Sequence, residues 1–521
     1  MPLDRHSCVR FAAALAILAG VYVLVFHRLA DRGLWSSHEA RAGSNAAWYL
    51  RHPGWGPSIL PDGSPELQKP PLSYWLIAGT AWVLGEEHPG PLAIRLPAAL
   101  AAIGCAGCLV GLGVSVGHFR RGLLAGLLLL TMVHFTWLAR IARTDMILTL
   151  ALTAGCCCQL MVSRSAGRTR LVWAVGLAFF SAMGVMTKGP LAMVLLGAVA
   201  FALGWVRRGG GSPGTLGLLA WLGLPVAAGA FVCLPWFLLA DARTDGRFIH
   251  EFFWLHTWGR GMGGTRLREH PWWLYLVQGP VESMPWSLLL IPALAWVWKK
   301  RKEADSHSSR DAMDGLAWLA AMLVVLSASR FKRMDYLLPV FPALAWVVAC
   351  WWEARQGSLN PGRRLMEQRW LVAGLGLVVA GWWVHLDWVL PRNDEWRDLR
   401  AMGRSLSAQI PENNNPLFFQ LEQHELAYWL NRPTRTVIDW PELAGEVDSD
   451  GRAFVVTNRQ RLSEGWFVDP GFEWTMVMER DPDHRLSLAA RADLVVVQLR
   501  RRRPETPVVL STCPSSFPLN R

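Results

Sequence analysis

The chain has 521 residues, 52% of them hydrophobic and only 18% charged, with 30 tryptophans. So little charge over so much apolar sequence excludes an ordinary soluble enzyme and describes a protein that crosses a membrane many times. The formal charge of +12 does not point to nucleic acid, because the basic residues fall in short loops between apolar runs, the pattern that orients membrane proteins.

The first element is FAAALAILAGVYVLVF (11–26), preceded by MPLDRHSCVR. It resembles a signal peptide, but HRLADRG follows with no small-residue cleavage site, so it is read as an uncleaved first span. Further apolar segments fall near 91–117, 121–139, 146–163, 170–186, 189–206, 215–240, 275–298, 313–329, 334–352 and 369–390. Each approaches the roughly 20 residues that a helical crossing needs. Cys156, Cys157 and Cys158 sit inside one of them. Without metal-type spacing they read as small buried hydrophobes, not as a zinc site or a disulfide framework.

Residues 72–85, LSYWLIAGTAWVLG, are short for a crossing, and the charge of the loops decides their place. If they do not cross and the N-terminus is cytoplasmic, five loops share the cytoplasmic side: GHFRRG (117–122), RSAGRTR (164–170), RRGGG (207–211), KKRKEADSHSSR (299–310) and EARQGSLNPGRR (353–364). All of them are basic, as the positive-inside rule requires. If 72–85 crosses, all five move outside. The segment is therefore expected to be a juxtamembrane helix in a long first external loop, a length that usually signals function. The sum is about eleven transmembrane helices, within a range of about 11–13. The expected domains are a membrane domain, 1–390, and an extracytoplasmic domain, 391–521. In the latter, LFFQL (417–421), TVID (436–439), AFVVT (453–457), WTMVM (474–478) and DLVVVQL (493–499) read as strands and ELAYWL (425–430) as a helix, a small α/β module.

Polar residues gather on the outer edges of the spans: WSSHEARAGS (35–44), PELQKPPLSYW (65–75), ARTDM (142–146), MTKGP (186–190), FFWLHTWGRGMG (252–263) and SRFKRMDYLLP (329–339). In order, Glu39-Ala40-Arg41, Lys69-Pro70-Pro71-Leu72-Ser73-Tyr74-Trp75, Arg95-Leu96-Pro97, Asp145, Thr187-Lys188-Gly189-Pro190, Phe252-Phe253-Trp254, Gly259-Arg260 and Tyr336-Leu337-Leu338-Pro339 resemble a known pattern. It is that of the GT-C glycosyltransferases that use polyprenyl-phosphate sugars, the family of lipid A aminoarabinose transferases and protein O-mannosyltransferases (glycosyltransferase family 39-like). Each motif alone is weak; the ordered set, over residues 1–345, is specific.

The resemblance implies an enzyme of the bacterial inner (plasma) membrane. It would move a sugar from a polyprenyl-phosphate (undecaprenyl-phosphate) donor to a hydroxyl of a cell-envelope acceptor, by direct displacement at the periplasmic face. Lipid A, another glycan and a secreted protein all remain open as acceptors, with membrane lipids around the site. Such chemistry asks for a carboxylate to orient or deprotonate the hydroxyl and for cations to hold the phosphate as its charge grows. Glu39 and Asp145 are the expected catalytic carboxylates. His38 stands where the family has Asp, and is the third catalytic candidate, since histidine can take a proton near neutrality. Arg41, Lys69, Lys188, Arg260, Lys332, Arg333, Tyr74 and Tyr336 are expected against the substrates. The plainer readings are a solvated loop acid for Glu39, a helix-terminus charge for Asp145, and basic side chains reaching to headgroups for Lys69 and Lys188.

No cofactor is expected. Some relatives place a divalent ion between an acid before Lys-Pro-Pro and a histidine in the Phe-Phe-Trp loop; here those places hold Gln68 and Thr257, the latter with His256 beside it, and glutamine is a poor ligand for zinc-like ions. Two other functions stay open. One is a degenerate family member acting in binding or scaffolding. The other is a lipid or sugar transporter, which the absence of repeat symmetry disfavours.

Overall fold

The computed structural model describes residues 5–207, 215–263, 268–300, 307–394, 397–447, 452–463, 471–480 and 494–502. Most of the basic loops RRGGG and KKRKEADSHSSR lie outside them. The chain divides into two compact units, Met1–Leu60 with Pro65–Glu395, and Trp396–Arg521 with Pro61–Ser64.

In the first unit every apolar segment is helical: Arg5–Val25, Pro91–Ser115, Phe119–Leu130, Thr144–Val162, Gly167–Lys188, Pro190–Val206, Thr215–Ala242, Ser287–Lys300, His307–Ala328, Phe341–Ser358 and Pro361–Val384. Proline opens several of them, where its missing N–H has no intrahelical partner in any case. Among the described residues, 7 helices are long and apolar enough to cross a membrane alone, or up to 9 if each bent pair counts as one span. Arg10–Val25 and Pro190–Val206 are apolar but shorter. The unit is thus a polytopic helical membrane protein.

Two segments expected as straight spans are bent. Phe119–Leu130 meets Val133–Ala139 at 75°, and Leu274–Glu282 meets Ser287–Lys300 at 117°. The two breaks support each other. The N–H of Val133 donates to the carbonyl of Met284 at 3.0 Å, and Trp286 Nε1 donates to Thr131 Oγ1 at 2.8 Å. Backbone groups freed in an apolar surround must find partners, and each break supplies them to the other.

The first loop folds into two helices. Ser37–Arg51 is capped by Ser36, whose hydroxyl accepts from the N–H of His38. Leu72–Val83 has 12 residues, about 18 Å at 1.5 Å per residue, well short of a ~30 Å hydrocarbon core.

At the opposite end of the helices from this loop lies a buried ionic network. Arg164 pairs with Asp311 at 2.6 Å and with Asp314 at 2.5 Å, and Arg207 reaches Asp314 at 2.5 Å. Arg121 binds Glu353 at 2.5 Å and also Asp311. Asp314 is only 1% exposed, so its two arginines are what make its charge tolerable there.

The second unit is a five-stranded mixed sheet, β1 (Leu417–Phe419), β2 (Arg435–Val437), β3 (Arg452–Asn458), β4 (Phe472–Glu479) and β5 (Leu494–Arg501), in the order β2-β1-β3-β5-β4. β1 is parallel to both neighbours; β5 is antiparallel to β3 and β4. Alternation along the strands makes two cores. Phe418, Phe454, Val456 and Val496 pack with Leu406 and Leu426 from helices on one face; Phe419, Val455, Val497 and Leu499 pack with Leu443 on the other.

Candidate active site

Five elements of the first unit bring their ends together: the starts of Ser37–Arg51, Pro91–Ser115, Thr144–Val162 and the 3₁₀ turn Met334–Val340, and the end of Gly167–Lys188. A cleft with an empty volume of about 410 Å³, its open mouth included, lies against the first loop and the helices Leu72–Val83, Pro91–Ser115 and Thr144–Val162. His38, Arg41, Lys69 and Arg143 give it polar atoms, and Ile77, Ile94 and Ile147 an apolar wall.

Glu39, expected as a catalytic carboxylate, is fully buried and enclosed by its own ligands. Arg95 Nε donates to it at 2.8 Å, Arg32 Nη2 at 2.9 Å, and the N–H of Ala142 at 3.2 Å. Burial alone would raise its pKa; Arg32 and Arg95 more than offset that and hold it at about 2. Arg95 also donates to the carbonyls of Leu29, Arg32 and Gly33. Glu39 therefore ties the first loop to the helix Pro91–Ser115, and a carboxylate so saturated has no lone pair left to orient a hydroxyl. This corrects the sequence expectation. His38 and Glu39 are neighbours in sequence, but on a helix they point about 100° apart.

Arg41 and Tyr74 line the cleft, yet both are engaged by a residue the sequence reading passed over, Glu66. Arg41 Nε donates to Glu66 at 2.9 Å, Asn45 Nδ2 at 3.0 Å, the N–H of Gln68 at 2.8 Å and the hydroxyl of Tyr74 at 3.4 Å. Glu66 is 2% exposed, and this buried knot fixes the strand of chain that presents Lys69. Tyr74, expected against substrate, instead has its hydroxyl on Glu66.

Asp145 opens the helix Thr144–Val162 and accepts from Lys188 Nζ at 2.5 Å. Lys188 closes its helix because Gly189 follows with φ of 66°. A Cβ there would lie 2.4 Å from the ring of Phe252, so only glycine allows both the turn and the aromatic contact. Tyr336 places its ring 4.4 Å from the Lys188 ammonium, a cation–π distance. Arg143 stands between two acids, 3.7 Å from Asp145 and in direct contact with Asp335. Asp335 also holds Arg333 at 3.3 Å, and Arg333 Nη1 reaches His38 Nε2 at 3.4 Å. One chain of charge thus runs from Lys188 through Asp145, Arg143, Asp335 and Arg333 to His38. Arg143 and Asp335 were visible in the quoted motifs but nothing in the sequence showed them as partners.

Lys69 has no hydrogen-bond or ion-pair partner among the described residues. Burial lowers its pKa to about 8, against the pull of Glu66 and with help from Lys188. The guanidinium of Arg260 lies 5.9 Å from the ring of Phe331. Lys332 does not join the site: its ammonium is buried on the carbonyls of His270 and Ser329, where it pins the turn before Met334–Val340. No group of three His, Cys, Asp or Glu placed to hold a metal ion occurs among the described residues.

The fold has solved counterparts. It superposes with a TM-score of 0.75 on ArnT from Cupriavidus metallidurans bound to undecaprenyl phosphate, at 18% identity, covering 93% of this chain and 97% of that one. An apo oligosaccharyltransferase from Archaeoglobus fulgidus gives a TM-score of 0.57 at 10% identity, covering 87% of this chain and 70% of the other. Residues 68–236 match the family model described as dolichyl-phosphate-mannose-protein mannosyltransferase. The chain shares the fold of these two solved proteins.

Among curated proteins it is similar to the undecaprenyl phosphate-α-4-amino-4-deoxy-L-arabinose arabinosyl transferase of Pectobacterium carotovorum, at 28% identity over 370 residues, 70% of this chain and 63% of that protein. The enzyme of the same name from Pseudomonas aeruginosa is 31% identical over 345 residues, 64% of this chain and 57% of that protein. The chain spans less than two thirds of the length of these curated relatives.

Proposed function

We propose that the chain transfers a sugar from a polyprenyl-phosphate donor to a hydroxyl of a cell-envelope acceptor, by direct displacement at the outer face of a bacterial inner membrane. The observation that carries this is Lys69, an ammonium with no hydrogen-bond or ion-pair partner among the described residues, lining the same cleft as Arg143 beside an apolar wall. A cation left without a partner in a partly enclosed cleft is costly, and a phosphate entering the cleft supplies its missing counter-charge. Arg333 and Arg260 are guanidinium groups of the kind suited to phosphate oxygens, and Asp145, which holds Lys188 at 2.5 Å, lies beside the cleft residue Arg143. The names of the curated relatives, which carry undecaprenyl phosphate-linked aminoarabinose, support a donor of this chemical class.

The proposed reaction uses no metal. Glu66, the acid nearest Lys69 in sequence, already accepts from Arg41, Asn45 and the N–H of Gln68. In this reading the eleven apolar segments all count as crossings, the N-terminus is cytoplasmic, and the first loop, the cleft and the C-terminal α/β unit lie outside.

Purified protein in detergent, given a panel of polyprenyl-phosphate sugars and envelope glycolipids, tests the reading. Product is expected from at least one pair, and polyprenyl phosphate should protect Lys69 from amine-reactive labelling. Absence of both transfer and protection overturns it. A reporter fused after residue 521 is expected to be active outside the cytoplasm; cytoplasmic signal overturns the orientation.

A further inference from the structure

His38 occupies the place in the cleft where a base is expected, and its contacts limit what it can do. Its Nε2 lies 3.4 Å from Nη1 of Arg333. A guanidinium has donors and no acceptor, so in this contact Nε2 must accept, and the proton of the neutral ring resides on Nδ1. The other charged groups facing the ring are Lys69 and Arg143, with Asp145 opposing them; Asp145 is itself engaged by Lys188 at 2.5 Å. Burial, then Lys69, Arg143 and Arg333, push the pKa of the imidazole down to about 3. The ring is therefore neutral throughout the physiological range. A neutral imidazole whose lone-pair nitrogen is turned to an arginine has no acceptor to offer a substrate proton. It has one N–H.

From this geometry we infer that His38 donates a hydrogen bond through Nδ1–H to the phosphate of the donor substrate, and is not the proton acceptor of the reaction. The inference rests on the glycosyl-transfer reading above and changes the role that a residue at this position was expected to play.

The atoms balance without a protein base. The acceptor hydroxyl oxygen forms the new bond to the anomeric carbon as the bond from that carbon to the phosphate oxygen breaks, and the bonding pair leaves with the phosphate. The donor is a phosphodiester of charge −1. The departing polyprenyl phosphate is a monoester whose new oxyanion can take the hydroxyl proton, its second pKa being near 6. It then also carries −1. His38, Lys69 and Arg143 act by stabilising the charge that develops on the leaving oxygen, and none of them changes its protonation state.

His38→Asn and His38→Ala separate the two roles. Asparagine keeps an N–H donor near the position of Nδ1 but has no basic nitrogen. The Asn variant is expected to keep transfer within ~10-fold of wild type, with a superimposable pH profile. The Ala variant is expected to lose ~10–100-fold, the size of a hydrogen bond to a charged group, and to bind polyprenyl phosphate more weakly. An Asn variant as inactive as Ala, or an acid limb between pH 5 and 7 in wild type that vanishes in the Asn variant, overturns the inference. Nitrogen NMR of wild-type protein labelled in histidine reads the tautomer without any substitution: protonation on Nε2 overturns it, and protonation on Nδ1 supports it. If wild type transfers no sugar from any polyprenyl-phosphate donor, the functional reading falls instead, while the tautomer and the phosphate-binding difference between wild type and Ala still decide the hydrogen bond.

Discussion

Glu39 and Arg95 stand 2.8 Å apart across 56 residues of sequence, both sealed from solvent. This pair fastens the first loop onto the helix Pro91–Ser115, and with it the backbone that carries His38. Breaking a buried ion pair by neutralising one partner typically costs about 3–5 kcal/mol, because the other charge is left uncompensated. Glu39→Gln is therefore expected to lower the thermal midpoint in detergent and the yield of folded protein, with activity falling in proportion. A variant of wild-type stability that has lost only turnover would return Glu39 to the chemistry.

Asp145 and Lys188 are expected to behave as one unit. Asp145→Asn and Lys188→Met should each reduce transfer by about 100-fold, as a charged group does when its close partner is removed, and the double variant should lose little more. Additive losses in the double-mutant cycle would show that the two side chains act separately.

Lys69 gives a pH dependence whose sign follows from its environment. Its pKa is lowered to about 8, chiefly by burial, so its positive charge is present below that pH and lost as pH rises through it. Affinity for polyprenyl phosphate should therefore fall above pH 8. Lys69→Arg, which stays charged, should move that limb to higher pH, and Lys69→Met should bind weakly and without the limb. Binding titrations between pH 6 and 10 check this.

Gly189 is predicted to tolerate no side chain. Alanine there would meet the Phe252 ring at 2.4 Å in a backbone conformation that costs about 1–3 kcal/mol for a non-glycine residue. Gly189→Ala should lower the thermal midpoint and, by shifting the end of Gly167–Lys188, reduce transfer more than its loss of stability accounts for. Measuring both on one preparation separates the two effects.

The helices were legible in the sequence because apolar length alone specifies them, and the five strands because short apolar runs between turn residues do. The bends near Leu130 and Glu282 were not. They depend on Thr131 meeting Trp286 and on Val133 meeting Met284, and such tertiary pairs leave no trace in either segment by itself. In the site, the motifs located Asp145, Lys69, Lys188 and Tyr336 where the elements converge. Glu39 and Lys332, expected at the site, are held instead by two arginines and by two carbonyls respectively, because a charged side chain at a membrane edge looks the same in sequence whether it faces a cleft or such partners. Glu66 and Asp335 went unrecognised for the converse reason: each is defined by arginines that lie far off in sequence, Arg41 and Arg143.

The ionic network at the far end of the bundle bears on how the chain is made. Arg207, Arg164 and Arg121 are synthesised well ahead of the acids that neutralise them: Arg207 precedes Asp314 by 107 residues, Arg164 by 150, and Arg121 precedes Asp311 by 190. In the proposed orientation, with the N-terminus cytoplasmic, these guanidinium groups are unneutralised while the nascent chain is still short and can act as topological signals that retain their loops on the side of synthesis. Only when His307–Ala328 inserts do the same charges become mortar between helices. Asp314→Asn should therefore leave the orientation of the first half of the chain untouched and weaken only its assembly with the second half.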